Sequence, residues 1–261
     1  MKQTIISRFL AVALMMTTGN LAANAGWTDN LSPYDLNAPL GWATVDGNVT
    51  GGEGGTKVTV TNKTELMNAL KGTDKKIIYV DGEIEFSGLT NVKSVQNKTI
   101  IGMKGAAFVN SKHSASVSET GIMQLSSCKN IILRNIIFKS AGAYDIDGND
   151  NLTSIGSTYI WVDHCDFQDG VDGNFDCVNG SDNICVTWCR FRYLIAPWAG
   201  GSGGSNDHRN CDLWGNSDKR SGDEGHLRTT FANCWWDEGC SERMPRVRFG
   251  QVHIQNCLYS S

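Results

Sequence analysis

The sequence predicts an all-β protein, a single-stranded right-handed parallel β-helix closed at its N-terminal end by a short helix. Short β-like segments of similar composition recur along the chain, and four of them contain a cysteine, any residue and then an aromatic residue. These cysteines are 24, 45 and 23 residues apart (165 to 189, 189 to 234 and 234 to 257). A recurrence of roughly 20–50 residues is typical of a solenoid. The 45-residue interval then corresponds to one coil with a long loop.

The length, composition and charge of the chain exclude several classes of protein. The chain has 261 residues, of which 40% are hydrophobic and 19% charged, and its formal net charge is −4. This hydrophobic content is typical of a soluble globular protein and excludes a disordered one. A weakly acidic chain offers no broad basic face for DNA or RNA, and its apolar runs are too short for a membrane-spanning helix. We therefore expect one domain over residues 26–261.

Residues 1–25 have the features of a bacterial secretory signal peptide. Lys2 and Arg8 provide a positive start, residues 9–16 form a short apolar core, and Ala23-Asn24-Ala25 fits the small-x-small cleavage pattern. We expect the mature protein to be secreted or periplasmic. The chain stops at Ser261, directly after a predicted rung, so we expect that it is either truncated at the C-terminus or unusually short.

The start of the mature chain contains the predicted cap and the first rungs. The glycine-rich run 51–55 lacks the Lys-Ser/Thr pair of a phosphate-binding loop and predicts a turn. Asn62 and Glu65 are spaced as in a capping box, which predicts a helix near Glu65 to Lys71. Such a helix covers the open end of a solenoid, where backbone groups are otherwise unpaired. The first strands are predicted at residues 57–60, 76–80, 82–86 and 98–101.

Five later segments predict successive rungs. Small or apolar side chains suit the interior positions, which stack on the equivalent positions of the next coil. Cys165, Cys189, Cys234 and Cys257 therefore predict a stacked, reduced interior column. The alternative is disulfides between neighbouring rungs, whose strands lie about 4.8 Å apart. The five segments are residues 131–138, 160–167, 184–191, 227–236 and 252–259.

Three motifs then occur in order along the chain. They are Trp-Val-Asp-His-Cys at 161–165, Asp-Gly-Asn-Phe-Asp at 172–176 and Arg-Met-Pro-Arg-Val-Arg-Phe-Gly at 243–250. With the Gly-Gly opening at residue 51 and residues 80–84, they resemble the first polysaccharide lyase family, the extracellular pectate lyases. The resemblance runs from about Gly51 to Tyr259 and implies a pectate lyase-like solenoid. It also implies a secreted enzyme that cleaves polygalacturonate by β-elimination to unsaturated oligogalacturonates. Asp163 and His164 lie within a rung and are interpreted as structural.

The acidic motif predicts a calcium site. Calcium needs several hard oxygen ligands, and Asp172 and Asp176 supply two from one short segment. The resemblance implies Asp150 as the third ligand, whereas Asp145 and Asp147 are weaker candidates. Ca²⁺ is therefore the expected cofactor, because a bound cation stabilises the charge that develops on a uronate carboxylate when its C5 proton is removed.

The arginine run provides the remaining site residues. The resemblance implies Arg243 as the catalytic base, although an arginine is normally always protonated. It would lose its proton transiently beside calcium or act by a concerted transfer, and the sequence leaves both routes open. Arg248 is expected to bind a substrate carboxylate, which suits a planar guanidinium. Arg246 either does the same or supports the loop.

One departure from the family concerns a substrate-binding lysine. The relatives place this lysine in the coil before the arginine run, but residues 193–215 contain none. Arg209 is the nearest cation and our candidate for the role. Trp198 and Trp214 flank a glycine-rich insertion in this stretch, where each either stacks on a sugar or anchors the loop.

Several alternative functions remain at this stage. A pectin lyase would act on methyl-esterified chains without calcium, which the retained Asp172 and Asp176 disfavour. A solenoid hydrolase would use paired carboxylates and water, which the arginine run disfavours. A non-catalytic pectin-binding protein would fit the missing lysine and the short C-terminus. The leading prediction is a monomeric calcium-dependent pectate lyase whose partner is acidic polysaccharide, with no nucleic acid and no membrane span.

Overall fold

The fold consists of short parallel strands that repeat in the same order along the chain. The computed structural model describes residues 38–143, 148–198 and 222–260, and the main chain of 210–212. In successive coils the chain adds one strand to each of three parallel sheets, so strands close in the sequence lie in different sheets. This arrangement confirms the predicted parallel β-helix.

Sheet 1 has eight strands, which in spatial order are β1 (Thr56–Val60), β2 (Lys76–Val80), β5 (Gln96–Gly102), β8 (Lys129–Arg134), β11 (Thr158–Asp163), β14 (Asp182–Thr187), β17 (Thr229–Ala232) and β20 (Val252–Gln255). Sheet 2 has seven, β3 (Glu83–Glu85), β6 (Ala107–Val109), β9 (Ile137–Lys139), β12 (Asp166–Gln168), β15 (Arg190–Arg192), β18 (Trp235–Trp236) and β21 (Leu258–Tyr259). Sheet 3 has four, β4 (Thr90–Lys93), β7 (Met123–Ser126), β10 (Leu152–Ile155) and β13 (Phe175–Val178). A further parallel pair joins β16 (Asn210–Asp212) to β19 (Glu242–Arg246).

The predicted cap is a helix, α1, at Lys63–Leu70. It begins earlier than expected because Asn62 is its N-cap, whose Oδ1 accepts a hydrogen bond from the Glu65 N–H at 3.0 Å. Leu66 and Leu70 are buried in the same cluster as the first sheet 1 strands. The helix therefore closes the N-terminal end of the core, as predicted. Among the described residues, no helix is long and apolar enough to cross a membrane.

The recurring Cys-x-aromatic pattern has a simple geometric origin. Residues two apart in a strand face the same way, so the cysteine and the aromatic residue both point into the core. The rings of Phe138, Phe167, Phe191, Trp236 and Tyr259 form one column, one ring in each coil. Their successive centroids are 4.7, 5.1, 5.5 and 4.8 Å apart, with planes within 16° of parallel. The 45-residue interval is a single coil, because β15 pairs directly with β18.

The cysteines of this motif form a second column, and each thiol donates to carbonyl oxygens. Cys189 Sγ lies 3.6 Å from the Val162 oxygen of the preceding coil, and Cys234 Sγ lies 3.4 Å from that of Val186. Burial raises the pKa of both thiols well above the ordinary value. None of the eight cysteines whose side chains are described forms a disulfide, so these positions have the predicted stacked, reduced arrangement.

Removing one ring from the aromatic column should destabilise the whole solenoid. Phe191 is fully buried between Phe167 and Trp236. For Phe191→Ala we expect the free energy of unfolding to fall by about 3–5 kcal/mol, because the change leaves a large cavity. Urea denaturation followed by tryptophan fluorescence measures this loss. Met103→Ala removes a side chain that is 40% exposed and should change stability little, so equal losses would contradict the assignment.

Sheet 1 is covered on its outer face by a segment that we call the strap, residues 38–50. The strap includes a short 3-10 helix, Gly41–Thr44. Ala43 and Val49 of the strap pack with Ile132, Trp161 and Cys185 in a small second core. The middle strands of sheet 1 are therefore buried on both faces, which the sequence analysis did not anticipate.

Asp163 is the centre of a buried polar network at the end of β11. It is fully buried, and it accepts hydrogen bonds from Arg134 Nε at 2.6 Å and from Thr187 Oγ1 at 2.6 Å. His164 Nδ1 lies 2.9 Å from its Oδ2. Trp161 Nε1 donates to Thr187 Oγ1 at 2.7 Å. The network lies on sheet 1, away from the other candidate residues, and its contacts are those of a structural element.

The ionisation of Asp163 should make the free energy of unfolding depend on pH in the acid range. Burial raises its pKa, but hydrogen bonding by His164, the charges of His164 and Arg134, and the Thr187 hydrogen bond outweigh burial and lower the pKa overall. A carboxyl whose pKa is lowered by folding stabilises the protein at neutral pH. This contribution begins to fall when the pH drops below the unfolded-state pKa of about 4, and it is lost once the pH has fallen through the lower folded-state pKa.

We expect Asp163→Asn to lower the free energy of unfolding by about 3–5 kcal/mol at pH 7, because the buried Arg134 loses its counter-charge. The difference from the wild type should shrink as the pH falls below about 4. Chemical denaturation between pH 3 and about 7 tests both statements. Glu53→Gln removes an exposed carboxylate and serves as the control. A pH-independent difference between Asp163→Asn and the wild type would refute the electrostatic account.

Candidate active site

The candidate site residues collect on the outer face of sheet 3. In β10 and β13 the side chains alternate, so that Leu152 and Phe175 point into the core, with exposed fractions of 0% and 1%. Their neighbours Thr153 and Asp176 point outward and are paired across the two strands. The acidic motif therefore folds with its apolar member inside and its last aspartate on the outer surface.

Asp150 and Asp176 come from adjacent coils and approach the same point. Asp150 lies just before β10, and its Oδ2 accepts a hydrogen bond from Thr153 Oγ1 at 3.0 Å. Thr153 is the residue directly opposite Asp176. Both carboxylates are largely buried, with 6% and 7% of their residue surface exposed. The register thus holds two carboxylates from adjacent coils near Thr153.

The pKa of a neighbouring thiol is affected by the charges of Asp150 and Asp176. Cys177 is fully buried directly after Asp176. Burial raises its pKa well above the ordinary value, and the negative charges of Asp176 and Asp150 raise it further. Both carboxylates are therefore close enough to Cys177 to raise its pKa.

Asp172 lies in the bend that leads into β13. The Asn151 N–H donates to the carbonyl of Gly173 at 3.2 Å, and counting back from the Leu152–Phe175 pair puts Asp150 opposite Gly173. The backbone of Asp172 therefore passes close to that of Asp150, and its side chain is half-buried. The fold brings the three predicted ligands to one part of the surface.

A complete metal cage is absent from the described residues. Within 38–143, 148–198 and 222–260, no group of three or more His, Cys, Asp or Glu side chains is close enough to hold a metal ion. The pair Asp150 and Asp176 nevertheless fits calcium, which accepts carboxylates together with water and other oxygen ligands. The assignment of Asp150, Asp172 and Asp176 as ligands stays a prediction.

Buried amides support the acidic residues, and the sequence analysis missed them. Asn151 and Asn174 are both fully buried. Asn151 Nδ2 donates to Asn174 Oδ1 at 2.8 Å and to the Gln168 carbonyl at 2.8 Å. Ser140 Oγ donates to Asn151 Oδ1 at 2.6 Å. These bonds fix the backbone next to Asp150 and Asp172, and the only sequence signal was an asparagine one or two positions from these aspartates.

The arginine run lies farther along the same side of the solenoid. Arg243 and Arg246 belong to β19, which pairs with β16, and β16 lies beside β13. β19 therefore lies one strand beyond β16 from the strand that carries Asp176. Arg248 follows in a bend and is half-buried. The structure thus brings the arginines and the acidic residues, predicted from separate motifs, to strands that are separated only by β16.

Arg243 has an unusual backbone conformation. Its φ is 53°, in the left-handed region, which costs a non-glycine residue about 1 kcal/mol or more and is found often at active sites. Its side chain is 24% exposed, and Nε lies 3.6 Å from Glu242 Oε2. The guanidinium is therefore partly accessible from solvent, as the predicted role requires.

Some predicted residues lie outside the described part of the chain. These are Arg209, Asp145, Asp147 and Trp214. Trp198 is described, and its Nε1 donates to the Gly142 carbonyl at 3.2 Å while its ring packs against His113. These contacts are those of a loop anchor, one of the two alternatives for this residue.

Comparison with known proteins identifies the family. A family model described as pectate lyase matches residues 33–261. The chain belongs to the pectate lyase family. The resemblance seen in the three motifs is therefore confirmed over almost the whole chain.

Individual pectate lyases show how far the similarity extends. A pectate trisaccharide-lyase of Thermotoga sp. (strain RQ2) is 32% identical over 85% of this chain and 57% of its own length. A probable pectate lyase B of Aspergillus terreus is 33% identical over 84% and 60%. Pectate lyase E of Dickeya chrysanthemi is 30% identical over 98% and 69%. The chain thus spans about three fifths of the first two relatives.

Solved structures of pectate lyases have the same fold. One is a mutant Bacillus subtilis pectate lyase, with a TM-score of 0.62 and 23% identity over 85% of this chain and 72% of that chain. A pectate lyase bound to a hexasaccharide gives the same score and identity over 84% and 71%. At this level of identity, the likeness supports the fold of the described coils.

Proposed function

We propose that the protein is a secreted calcium-dependent pectate lyase that cleaves polygalacturonate by β-elimination. The observation that carries the proposal is the placement of two acidic residues from adjacent coils, Asp150 and Asp176, on the same side of the solenoid as Arg243, whose strand β19 is separated from β13 only by β16. Family membership supports the same activity. The signal peptide predicted at residues 1–25, which lies outside the described residues, supports export to the periplasm or the medium.

The chemistry assigns a separate task to each group. Asp150, Asp172 and Asp176 would hold Ca²⁺, which when bound offsets the negative charge of the sugar carboxylate and makes the adjacent C5 proton more acidic. Arg243 takes this proton on a guanidine nitrogen that passes its own proton to water, either beforehand or in the same concerted step. The electrons of the C5–H bond form the C4–C5 double bond as the C4–O bond breaks, and the leaving oxygen receives a proton from water. Arg248 holds a substrate carboxylate with its planar guanidinium, and Arg246 assists it or supports the bend.

A spectrophotometric assay tests this function. Polygalacturonate is mixed with the protein, and the ultraviolet absorbance of the unsaturated product is followed with calcium and with a chelator. We expect absorbance to rise with calcium and to stop rising with the chelator. Reducing ends without absorbance would indicate a hydrolase, and chelator-resistant cleavage of methyl-esterified chains would indicate a pectin lyase. Binding without any product would indicate a non-catalytic protein.

A further inference from the structure

A cavity lies on sheet 1, whereas Asp150 and Asp176 lie on sheet 3. It has a volume of about 390 Å³ and opens where the strap crosses the first residues of β5, β8 and β11. Residues 46–48 of the strap form one wall, and Gln96, Lys129 and Tyr159 contribute from three successive coils. A cavity of this size is in the range of small-ligand sites.

The back wall of the cavity is rigid because its amides are already bonded. Asn130 Oδ1 accepts from the N–H groups of Thr50 at 2.8 Å and Gly51 at 2.7 Å. Its Nδ2 donates to Asn97 Oδ1 at 2.8 Å. Asn97 Nδ2 in turn donates to the Thr73 carbonyl at 2.8 Å. These bonds tie the strap to two neighbouring coils and hold the shape of the cavity before any ligand enters.

The strap wall of the cavity, residues 46–48, packs against Tyr159. Its hydroxyl donates to the Asp46 carbonyl at 2.9 Å. Gly47 lies against the same ring, so closely that a Cβ there would be 2.8 Å from Tyr159 Cε1. Only a glycine allows the strap to approach the ring in this way, because any side chain at this position would push the strap away.

The polar groups that remain available converge on the cavity. Within the described part of the chain, the side chains of Lys129, Gln96 and Asn48 make no hydrogen bond or ion pair. Lys129 Nζ lies 5.6 Å from the centroid of the Tyr159 ring, which places its charge at the cavity. The carboxylate of Asp46 is 3.7 Å from Arg228 Nη1 and 77% exposed, so its negative charge is partly offset by that arginine, which also pairs with Asp182 at 2.6 Å, and is otherwise screened by solvent.

We propose that this cavity binds one acidic sugar residue and forms an accessory polysaccharide site, independent of calcium. Lys129 pairs with the carboxylate, and the amides of Gln96 and Asn48 hydrogen-bond to the hydroxyls. A single cation with two amides in a rigid polar cavity favours a carboxylated sugar over a neutral one. The choice of galacturonate as that sugar rests on the proposed function.

Calorimetric titration with trigalacturonate in the presence of a chelator tests the site. We expect the wild-type protein to bind without calcium, and Lys129→Gln to weaken this binding at least tenfold. Lys104→Gln, which changes an exposed lysine outside the cavity, is the matched control and should bind as the wild type does. Arg248→Ala should also leave the chelator-resistant binding unchanged, and a neutral galactose trisaccharide should bind at least tenfold more weakly.

The proposal is overturned if the wild type shows no binding in chelator, if Lys129→Gln binds normally, or if the neutral trisaccharide binds equally well. Lys129→Gln should also retain wild-type turnover on short substrates with calcium, and loss of that turnover would contradict an accessory role. Failure of the lyase assay with preserved, Lys129-dependent binding would refute the proposed function and leave the accessory site supported.

Discussion

Replacing Arg243 with alanine is expected to lower kcat on polygalacturonate by about 10³-fold or more, because the proton transfer that it supplies acts in the transition state. Substrate affinity should change little. Stability should fall by less than about 1 kcal/mol, because the Arg243 side chain is partly exposed and its ion pair with Glu242, at 3.6 Å, is also partly exposed. The backbone cost at φ 53° is shared by alanine, which also has a Cβ.

Two further variants make this result specific. Arg243→Lys should be nearly as inactive, because lysine retains the charge but lacks the planar guanidinium and its reach. Arg248→Ala should behave differently and weaken both binding and turnover, since it removes a contact to the substrate carboxylate. Steady-state kinetics with calcium, combined with calorimetric binding, separates these cases. Turnover of Arg243→Ala at the wild-type level would show that another group removes the proton.

Replacing Asp176 with alanine is expected to abolish both activity and the stabilisation of the protein by calcium. A ligand that binds only the native state at about 100 times its Kd stabilises it by about 2.7 kcal/mol. For a domain of this size, that corresponds to a rise in Tm of about 5–10 °C. Asp176→Ala removes one of the two largely buried carboxylates of the proposed calcium site, and most of this rise should disappear.

The behaviour in chelator gives an independent test of the same pair. Calcium stabilises only a protein that can bind it, so the difference in Tm between Asp176→Ala and the wild type should be smaller in chelator than in calcium. Asp166→Ala is the control, because Asp166 pairs with Arg192 at 2.6 Å on sheet 2. It should lose some stability yet keep the full calcium-dependent rise. A calcium-dependent rise that survives in Asp176→Ala would exclude this residue as a ligand.

The repeating part of the fold was predictable because each coil meets the same local requirement. Every coil places an inward-facing residue above its equivalent in the coil before, so positions such as Cys189 and Phe191 repeat their residue types along the sequence. The cap was predictable for a similar reason, since Asn62 and Glu65 form their helix-start bonds within a few residues. Both signals depend on short stretches of chain.

The candidate site was only partly predictable. The acidic motif led to Asp172 and Asp176, and the family resemblance implied Asp150 and Arg243, but the chemistry of outward-facing side chains does not repeat from coil to coil. Asn151 and Asn174, which hold the acidic residues in place, gave no distinctive pattern in the sequence. The strap was also missed, because it packs on Ile132, Trp161 and Cys185, which come from three coils far from it in the sequence.

The amino-acid sequence was thus enough to predict a parallel β-helix of the pectate lyase family, with a helical cap and the residue types of the family's site. The folded chain was needed to show that Asp150 hydrogen-bonds to Thr153, the strand partner of Asp176, and that β16 separates β19 from β13. It also decided that the strap closes a cavity over Lys129. The physical reason is that these contacts join residues far apart in the chain, and their meeting depends on the register between coils, which the repeat pattern of a single coil does not specify.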